Sequence, residues 1–314
     1  MSATLGIIGA RGHTGAVLLQ LLAGHREIDV VAVSSRQLSG EAVADHVEGV
    51  KKDLYFERLS PEEAASRKLD AYVLALPNGV GQPFVEAIDN ENPDALIVDL
   101  SADHRFDADW QYGLPERFRE SIAAARRIAN PGCYATAMHL ALWPLIGHLD
   151  DDPHIFGVSG FSGAGTTPSP KNDPDTLRDN LLPYSLTNHT HEREVRHQLG
   201  HGLFFMPHVA SFFRGITLTV STILSHKTIP SDMADHFRYF YDSEPLINIQ
   251  TDPPLVRDAV GAHFVTLGGF TLGVEPHRMV FNATLDNLLK GAATQAIQNL
   301  NLALGFNELE GLSL

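Results

Sequence analysis

The first half of the chain alternates short apolar runs with stretches of helical spacing. Residues 15–24 repeat leucine at helical intervals, and the apolar runs on either side are rich in β-branched residues. Apolar strands that alternate with helices indicate crossover connections and a parallel sheet with both faces covered. The predicted strands are TLGIIGA (4–10), IDVVAVSS (28–35), LDAYVLALP (69–77), ALIVDLS (95–101) and RRIANPG (126–132).

The second half has a different pattern. Residues 215–224 alternate polar and apolar positions, as in a strand with one buried face. Residues 264–274 and 278–285 are also strand-like. Together these segments predict a mainly antiparallel sheet in an α+β domain.

Two helices and a domain boundary complete the predicted architecture. SDMADHFRYFYDS (231–243) predicts a helix with Ser231 as its N-cap, and residues 287–304 predict one long amphipathic helix. Acidic and turn residues at 147–160 interrupt the pattern, so we place a boundary there. The predicted domains are 1–148, completed by a C-terminal helix at 286–314, and 149–285.

Composition narrows the classes of protein to which the chain can belong. With 314 residues, 44% of them hydrophobic, it can bury a large core. One cysteine fits a reducing compartment, and no secretory leader or apolar run of membrane-spanning length is recognisable, so we expect a cytoplasmic protein. A net charge of −15 argues against nucleic-acid and membrane partners, although a helix N-terminus can still bind a small anion.

A glycine-rich turn follows the first predicted strand. GARGHTG (9–15) lies between a strand and a helix, where backbone N–H groups can approach a pyrophosphate. The spacing is not the usual dinucleotide fingerprint, and an ordinary strand-to-helix turn is the alternative. Its position nevertheless favours a dinucleotide-binding domain of the Rossmann type.

The end of the second strand indicates which dinucleotide binds. NAD-binding folds usually place a carboxylate there, which would repel a 2′-phosphate. This chain has Ser34, Ser35 and Arg36 instead. Two hydroxyls and a guanidinium favour NADP(H), with a solvated loop as the alternative.

Cys133, the sole cysteine, follows Asn130-Pro131-Gly132 and precedes an apolar helical run at 134–145. A helix N-terminus there would lower the pKa of the thiol, and its N–H groups would hold an oxyanion. A buried, inert thiol is the alternative. The position at the junction of a dinucleotide fold and a second domain favours a nucleophile.

The segment NHTHERE (188–194) supplies candidates for a base. In a strand His189 and His191 share one face, whereas in a helix His191 and Glu194 do. A metal site is the weaker alternative, because HxHxxE matches no strong zinc spacing and the chain has no second thiolate, so we expect no metal. Further residues that could bind an anionic substrate are Arg105 in SADHRF (101–106), and His208 and Arg214 in MPHVASFFRG (206–215).

The segment IANPGCYATAMHLALWP (128–144) resembles the active-site signature of N-acetyl-γ-glutamyl-phosphate reductases, the NADPH enzymes of arginine biosynthesis. SGAGTTPSPKNDP (162–174) is similar to the reductase portion of fungal bifunctional arginine-pathway proteins. Many members have Ser where this chain has Arg11 and Tyr where it has His13, which affects the pyrophosphate contacts and not the reaction. Further family-like motifs are GARGHTG, SSR, LALPNG (74–79), DLSADHRF (99–106), YGLPE (112–116), GVSGFSGAG (157–165), HTHERE (189–194), MPHVASFFRG and DNLLKGAATQAIQN (286–299).

The resemblance implies a reaction and a role for each matching residue. Cys133 would be the nucleophile that forms a thioester from an acyl phosphate, and His191 the acid and base, in a homodimer or homotetramer. The implied substrate-binding residues are Arg105, Ser162, His189, Glu194, His208 and Arg214. The implied cofactor-binding residues are Gly9, Arg11, Gly12, His13, Thr14, Gly15, Ser34, Ser35, Arg36, Pro77, Asn78, Ser159, Gly163 and Asn287.

Two other interpretations stay open. A related semialdehyde dehydrogenase would act on another acyl phosphate, either aspartyl or linked to a carrier protein. The Gly-Cys-Tyr-Ala-Thr signature and the absence of an evident basic docking surface argue against these. A non-catalytic NADP-sensing protein would keep the dinucleotide fold, but it has no need of the thiol and HxHxxE together.

Overall fold

This computed structural model describes residues 2–275 and 277–313. Its strands and helices form two compact units. Residues up to 132 and those from 292 onward make the first unit, and 133–291 make the second. The predicted domain boundary at residue 148 stays a prediction. The strands are β1 (Ala3–Ile8), β2 (Ile28–Ser34), β3 (Phe56–Glu57), β4 (Ala71–Leu74), β5 (Leu96–Asp99), β6 (Gln111–Tyr112), β7 (Arg127–Ala129), β8 (His154–Gly160), β9 (Leu181–Pro183), β10 (Phe204–Ala210), β11 (Ile216–Ile223), β12 (Ile247–Ile249), β13 (Val265–Leu272) and β14 (Arg278–Leu285). The helices are α1 (His13–Leu22), α2 (Pro61–Ser66), α3 (Gln82–Glu91), α4 (Pro115–Ala124), α5 (Cys133–Leu142), α6 (Pro174–Leu177), α7 (Thr190–Leu199), α8 (Pro230–Phe240), α9 (Val256–Ala259) and α10 (Thr294–Leu304).

The first unit contains a parallel sheet in the order β3-β2-β1-β4-β5-β7-β6. Apolar side chains cover both of its faces, which explains why its strands are continuous apolar runs. One core cluster joins Leu5 of β1 to Leu18 of α1 and Ile297 of α10. The other joins Ile8 of the same strand to Phe84 of α3. The predicted Rossmann-type sheet is confirmed.

The second unit contains a mixed sheet in the order β12-β13-β14-β11-β8-β10-β9. β12 pairs parallel with β13 and β8 with β10, and the remaining pairs are antiparallel. α5 packs against β11 and β14, and α8 packs against β13. Buried and half-buried residues alternate along β11, so one face of the sheet is covered by helices, as the sequence pattern predicted.

Two predicted helix details are wrong. The N-cap of α8 is Ile229 rather than Ser231, because Pro230 takes the first helical position, where its missing N–H costs no hydrogen bond. Residues 289–304 form one continuous helical stretch, but its first turn, Leu289–Ala293, is π-helical rather than α-helical and leads directly into α10. α10 is also buried on its polar side, and Asn299 donates to the Gly113 carbonyl within the first unit. No helix in the described part of the chain is long and apolar enough to cross a membrane.

Candidate active site

The glycine-rich turn connects β1 to α1 and has the geometry of an anion-binding loop. Gly9 has a φ of +89°, which L side chains rarely adopt, and the N–H groups of Gly9 and Ala10 donate to the Ser34 carbonyl. A Cβ at Gly15 would lie 2.5 Å from the Ala10 carbonyl oxygen, so this glycine allows the close approach of helix and strand. Gly12 is the N-cap of α1, and nothing lies within 4 Å of the position of its absent Cβ. The open backbone at this helix N-terminus fits a pyrophosphate.

The other residues predicted at this turn have distinct environments. His13 and Thr14 occupy the first turn of α1, and burial lowers the pKa of His13. Arg11 is exposed. A neutral His13 adds no positive charge, so the charge near the turn comes from Arg11 and the helix N-terminus.

The residues after β2 present one exposed guanidinium beside two buried serines. Ser34 ends β2, and the Ser35 hydroxyl accepts the Leu38 N–H at 3.2 Å. Both serines are buried, whereas Arg36 is exposed. Among the predicted phosphate ligands, Arg36 is therefore the group in contact with solvent.

The loops after β4 and β5 are joined by hydrogen bonds. The Asn78 side chain accepts the Ala102 N–H at 3.0 Å, and the Asp103 carboxylate accepts the Gly79 N–H at 2.7 Å. Pro77 accepts the Val80 N–H and so closes a turn around Asn78. The predicted cofactor residues Pro77 and Asn78 thus belong to a rigid loop at the carboxyl end of β4.

Arg105 is buried and bonded to the backbone. Its Nε donates to the Asn130 carbonyl and its guanidinium also donates to the Leu100 carbonyl, both at 3.0 Å. These bonds stabilise the loop at 130–132 that precedes the thiol. The predicted role of Arg105 in substrate binding stays a prediction.

Cys133 is the first residue of α5, as predicted from the preceding Pro-Gly. It is half-buried. The π-helical turn approaches it closely, since a Cβ at Gly291 would lie 2.8 Å from the Cβ of Cys133. The next residue, Tyr134, is buried, and its hydroxyl donates to the His208 carbonyl at 2.9 Å. The thiol is therefore fixed by packing on one side and lies at a helix N-terminus.

The two candidate histidines lie at the start of α7, which packs against α5. His189 is the N-cap, and its Nδ1 accepts the His191 N–H at 3.1 Å. The two imidazole centroids are 4.8 Å apart, and they lie 6.4 Å and 6.2 Å from the ring of Tyr134. Glu194 follows on the same helix and is buried. The segment is helical, which decides between the two geometries that the sequence left open.

The surroundings of His189 hold it neutral. Burial, followed by the nearby charges of Lys171 and Arg193, lowers the pKa of His189 to about 4. Its Nδ1 accepts a hydrogen bond, so in the neutral ring the proton is on Nε2.

Tyr184 and Lys171 extend the cluster around the thiol, and neither was predicted as a site residue. The Tyr184 ring lies 5.5 Å from that of His189, and the Lys171 ammonium lies 5.0 Å from the Tyr184 centroid. Burial and, secondly, the negative charge of Cys133 raise the pKa of Tyr184. Tyr184 thus lies next to His189, and the charge of Cys133 acts on it. The available sequence signal was the segment 162–174, which resembles the family, contains Lys171 but not Tyr184, and singled out no side chain.

Four other predicted residues form two linked pairs in the second unit. The Asn287 side chain donates to Ser162 Oγ at 2.9 Å and accepts the Gly215 N–H at 2.7 Å. Ser159 lies beside Gly163, where a Cβ would lie 3.0 Å from its Oγ. The four residues lie together in the second unit, and their cofactor contacts stay a prediction.

Arg214 pairs with a carboxylate that sequence analysis missed. Its Nε lies 2.7 Å from Oδ2 of Asp286, which is fully buried. Asp286 also accepts the N–H groups of Gly261, Leu288 and Leu289, and so it shapes the π-helical turn. His208 is on β10; its Nδ1 lies 3.1 Å from the Met206 carbonyl oxygen, and its ring is tilted against that of Phe156 at a centroid distance of 4.6 Å. In the described residues no group of three or more His, Cys, Asp or Glu side chains is arranged to hold a metal ion.

Comparison with known proteins identifies two family domains. Residues 4–125 match the semialdehyde dehydrogenase NAD-binding domain, and residues 133–287 match the semialdehyde dehydrogenase dimerisation domain. The second match begins at Cys133.

Relatives match along the whole chain. The N-acetyl-gamma-glutamyl-phosphate reductase of Xanthomonas campestris pv. campestris strain B100 is 55% identical over 98% of this chain and 98% of its own length. The protein of that name from Xylella fastidiosa strain 9a5c is 53% identical over 98% of this chain and 93% of its own.

Solved structures share the fold at lower identity. Aspartate semialdehyde dehydrogenase II from Vibrio cholerae has a TM-score of 0.79 and 17% identity, over 97% of this chain and 99% of that one. The Candida albicans aspartate semialdehyde dehydrogenase solved with NADP has a TM-score of 0.76 and 16% identity over the same shares. At these identities the likeness concerns the fold alone.

Proposed function

Since the chain belongs to the N-acetyl-γ-glutamyl-phosphate reductase family, we propose that it reduces N-acetyl-γ-glutamyl phosphate to N-acetyl-glutamate semialdehyde and phosphate in arginine biosynthesis. The observation that carries this proposal is the position of the only thiol. Cys133 begins α5, which packs against α7, and the ring of the next residue, Tyr134, lies 6.4 Å and 6.2 Å from the two imidazoles that begin α7. A nucleophile at one helix N-terminus and a proton carrier at another are the parts that covalent acyl transfer requires.

The first half-reaction forms a thioester. The Cys133 thiolate attacks the acyl carbon of the acyl phosphate, and the carbonyl oxygen becomes an oxyanion. The N-terminus of α5, with its positive end of the helix dipole, stabilises that charge. Collapse of the tetrahedral intermediate breaks the carbon–oxygen bond to phosphate and leaves the acyl group on sulfur.

The second half-reaction needs a hydride and a proton. NADPH bound at the glycine-rich turn and Arg36 would supply the hydride. His191 donates a proton to the sulfur as the thiohemiacetal anion collapses, which releases the aldehyde and leaves Cys133 as the neutral thiol. His191 then takes this proton back as the general base before the next attack. Glu194, three residues on along α7, is the candidate that sets the orientation and basicity of His191.

Self-association of the second unit is part of the proposal. The face of its sheet opposite the helices presents alternate residues of β8 and β10, among them Phe156 and Phe204, which are 39% and 46% exposed. A second copy of this chain is the occupant that fits, because this unit matches a dimerisation domain. Light scattering should give a mass of two or four 34.3 kDa chains, and a monomer would contradict the proposal.

We also propose that the protein is located in the cytoplasm. It is supported by a mechanism that depends on a reduced thiol, and by a chain whose single cysteine can form no internal disulfide.

The test of the proposed reaction runs it in reverse with several aldehydes. Purified protein is given NADP⁺, phosphate and either N-acetyl-glutamate semialdehyde, aspartate semialdehyde or glyceraldehyde 3-phosphate, and NADPH is followed by absorbance. We expect phosphate-dependent turnover with the first aldehyde, at a kcat/KM far above the other two. Preference for another aldehyde would reassign the substrate, and no turnover with any would favour a cofactor-sensing protein.

A further inference from the structure

The side chain of Lys171 lies beside the Tyr184 ring, which in turn lies next to His189. Its ammonium is 5.0 Å from the centroid of Tyr184, whose ring is next to His189. In the described part of the chain no carboxylate forms an ion pair with it. Lys171 is half-buried, so its charge acts in a partly desolvated setting.

The carboxylates nearest in sequence are engaged elsewhere. Asp173 caps α6 by accepting the N–H and hydroxyl of Thr176, and Asp175 pairs with Arg178. On the facing helix, the Glu192 carboxylate accepts the Phe205 N–H. These three carboxylates are therefore bonded to groups other than Lys171.

The loop that carries Lys171 is held in one shape. The Asn172 side-chain amide donates to the carbonyls of Gly165 and Thr167, at 2.9 Å and 2.8 Å, and its oxygen accepts the Ser169 N–H. Gly165 has a φ of +75°, which allows the turn that brings the loop back. The position of Lys171 beside Tyr184 is thus fixed by hydrogen bonds on both sides of it.

We propose that Lys171 binds an anionic group of the acyl-phosphate substrate, with the Tyr184 ring as the surface that holds its ammonium beside Cys133 and His189. This inference rests on the proposed function, which supplies a substrate with two anions, the phosphate and the carboxylate. Both offer the same chemistry to an ammonium ion. The charge of Lys171 also lowers the pKa of His189, as expected if the two groups share one pocket.

The first experiment needs no knowledge of the substrate. Because Cys133 is the only thiol, its alkylation can be followed without labelling at another cysteine. Iodoacetate is an anion and iodoacetamide is neutral. The alkylation rate with iodoacetate divided by that with iodoacetamide therefore reports the charge near the thiol. In Lys171→Gln and Lys171→Met we expect this ratio to fall about fivefold, as for removal of one charge at short range.

Two variants serve as controls. Lys171→Arg should keep the ratio, because it keeps the charge, and Lys227→Gln removes an exposed lysine elsewhere in the second unit and should leave it unchanged. If Lys171 only supports the packing of Tyr184, its loss would change both reagents equally and leave the ratio as in the wild type. That result would overturn the proposal.

The second experiment identifies which anion Lys171 holds. In the reverse reaction, phosphate and semialdehyde are varied separately with NADP⁺ saturating. Loss of a charged hydrogen bond costs about tenfold or more in affinity. A rise of that size in the KM of phosphate assigns Lys171 to the phosphate, and a rise in the KM of the semialdehyde assigns it to the carboxylate.

Unchanged values of both KM would overturn the proposal. If the wild type shows no turnover, the proposed function fails instead, and the alkylation ratio still decides whether Lys171 places a positive charge at the thiol.

Discussion

The imidazole centroids of His189 and His191, at the start of α7, lie 4.8 Å apart, but the two side chains are suited to different roles. His189 caps the helix through Nδ1, and its pKa of about 4 keeps it neutral at physiological pH. A ring with so low a pKa is a weak base, and its Nε2–H is suited to donating a hydrogen bond. His191 has Glu194 three residues on. We therefore assign proton transfer to His191 and substrate positioning to His189.

Substitution of each histidine by asparagine tests this division. His191→Asn should slow acylation by roughly 10²–10⁴-fold, the usual contribution of a general acid or base. His189→Asn should mainly raise the KM, because it removes the proposed hydrogen bond to the substrate. The helix should be kept, because asparagine can still serve as its N-cap. Single-turnover rates and iodoacetamide reactivity of both variants measure the effect, and the opposite pattern would exchange the two roles.

The lowered pKa of His189 also predicts how stability depends on pH. Between the ordinary value of 6.5 and the folded value of about 4, the unfolded chain binds a proton that the folded chain does not. The contribution of His189 to the free energy of unfolding therefore falls as the pH is lowered through this window. Urea unfolding at several pH values should show a smaller loss for His189→Asn than for the wild type. Equal losses would mean that His189 titrates normally in the folded protein.

We propose that Arg36, the exposed cation among the predicted phosphate ligands, sets the choice of cofactor. Arg36→Glu should weaken NADPH far more than NADH, since a repelling charge replaces a partner of the 2′-phosphate. A charge-assisted contact of this kind corresponds to about 10- to 150-fold in affinity. Fluorescence titration with both cofactors measures the ratio, and an unchanged preference would place the phosphate site elsewhere.

At the scale of elements, the start of α5 could be predicted from the sequence, whereas the π-helical turn that packs against it could not. The Pro-Gly before Cys133 signals where a helix can begin, which is local information. The π-helical turn at Leu289–Ala293 depends on Asp286, a buried carboxylate that accepts N–H groups of this turn and pairs with a distant arginine. No periodicity in residues 287–304 encodes such a contact, so the pattern predicted a regular helix.

Gly291 shows what that turn does for the site. An alanine there would place a Cβ 2.8 Å from the Cβ of Cys133, closer than real Cβ contacts allow. Gly291→Ala should therefore displace the thiol and reduce turnover and iodoacetamide reactivity together. Gly24→Ala is a matched control, because nothing lies within 4 Å of its Cβ position. Full activity in Gly291→Ala would mean that the turn does not restrain Cys133.

Some features of the site could not be predicted either, because they depend on contacts between residues that are distant in sequence. Cys133 and the HxHxxE segment are unusual in themselves, one as the only thiol and the other as clustered histidines. Lys171 and Tyr184 are ordinary residues in a polar loop, and only the fold brings them to the histidines. Arg105 was predicted for its charge, yet its bonds to backbone carbonyls could not be read from its neighbours.

At the scale of the whole molecule, the two halves of the proposed chemistry reside in different units. The glycine-rich turn and Arg36 belong to the first unit, and the thiol, the histidines and Lys171 belong to the second. The boundary falls directly before Cys133, so α5 belongs to the same unit as α7 and its two histidines. The family domains divide the chain at the same place, between 125 and 133.

The central claim is that the acyl group is carried on Cys133, and a reaction without phosphate tests it. Protein is mixed with NADP⁺ and N-acetyl-glutamate semialdehyde, quenched in acid and analysed by mass spectrometry. We predict a burst of one NADPH per active subunit and an N-acetylglutamyl group on the peptide containing Cys133, discharged when phosphate is added and absent in Cys133→Ser. A protein that turns over with no burst, or that carries the acyl group on another residue, would contradict the account.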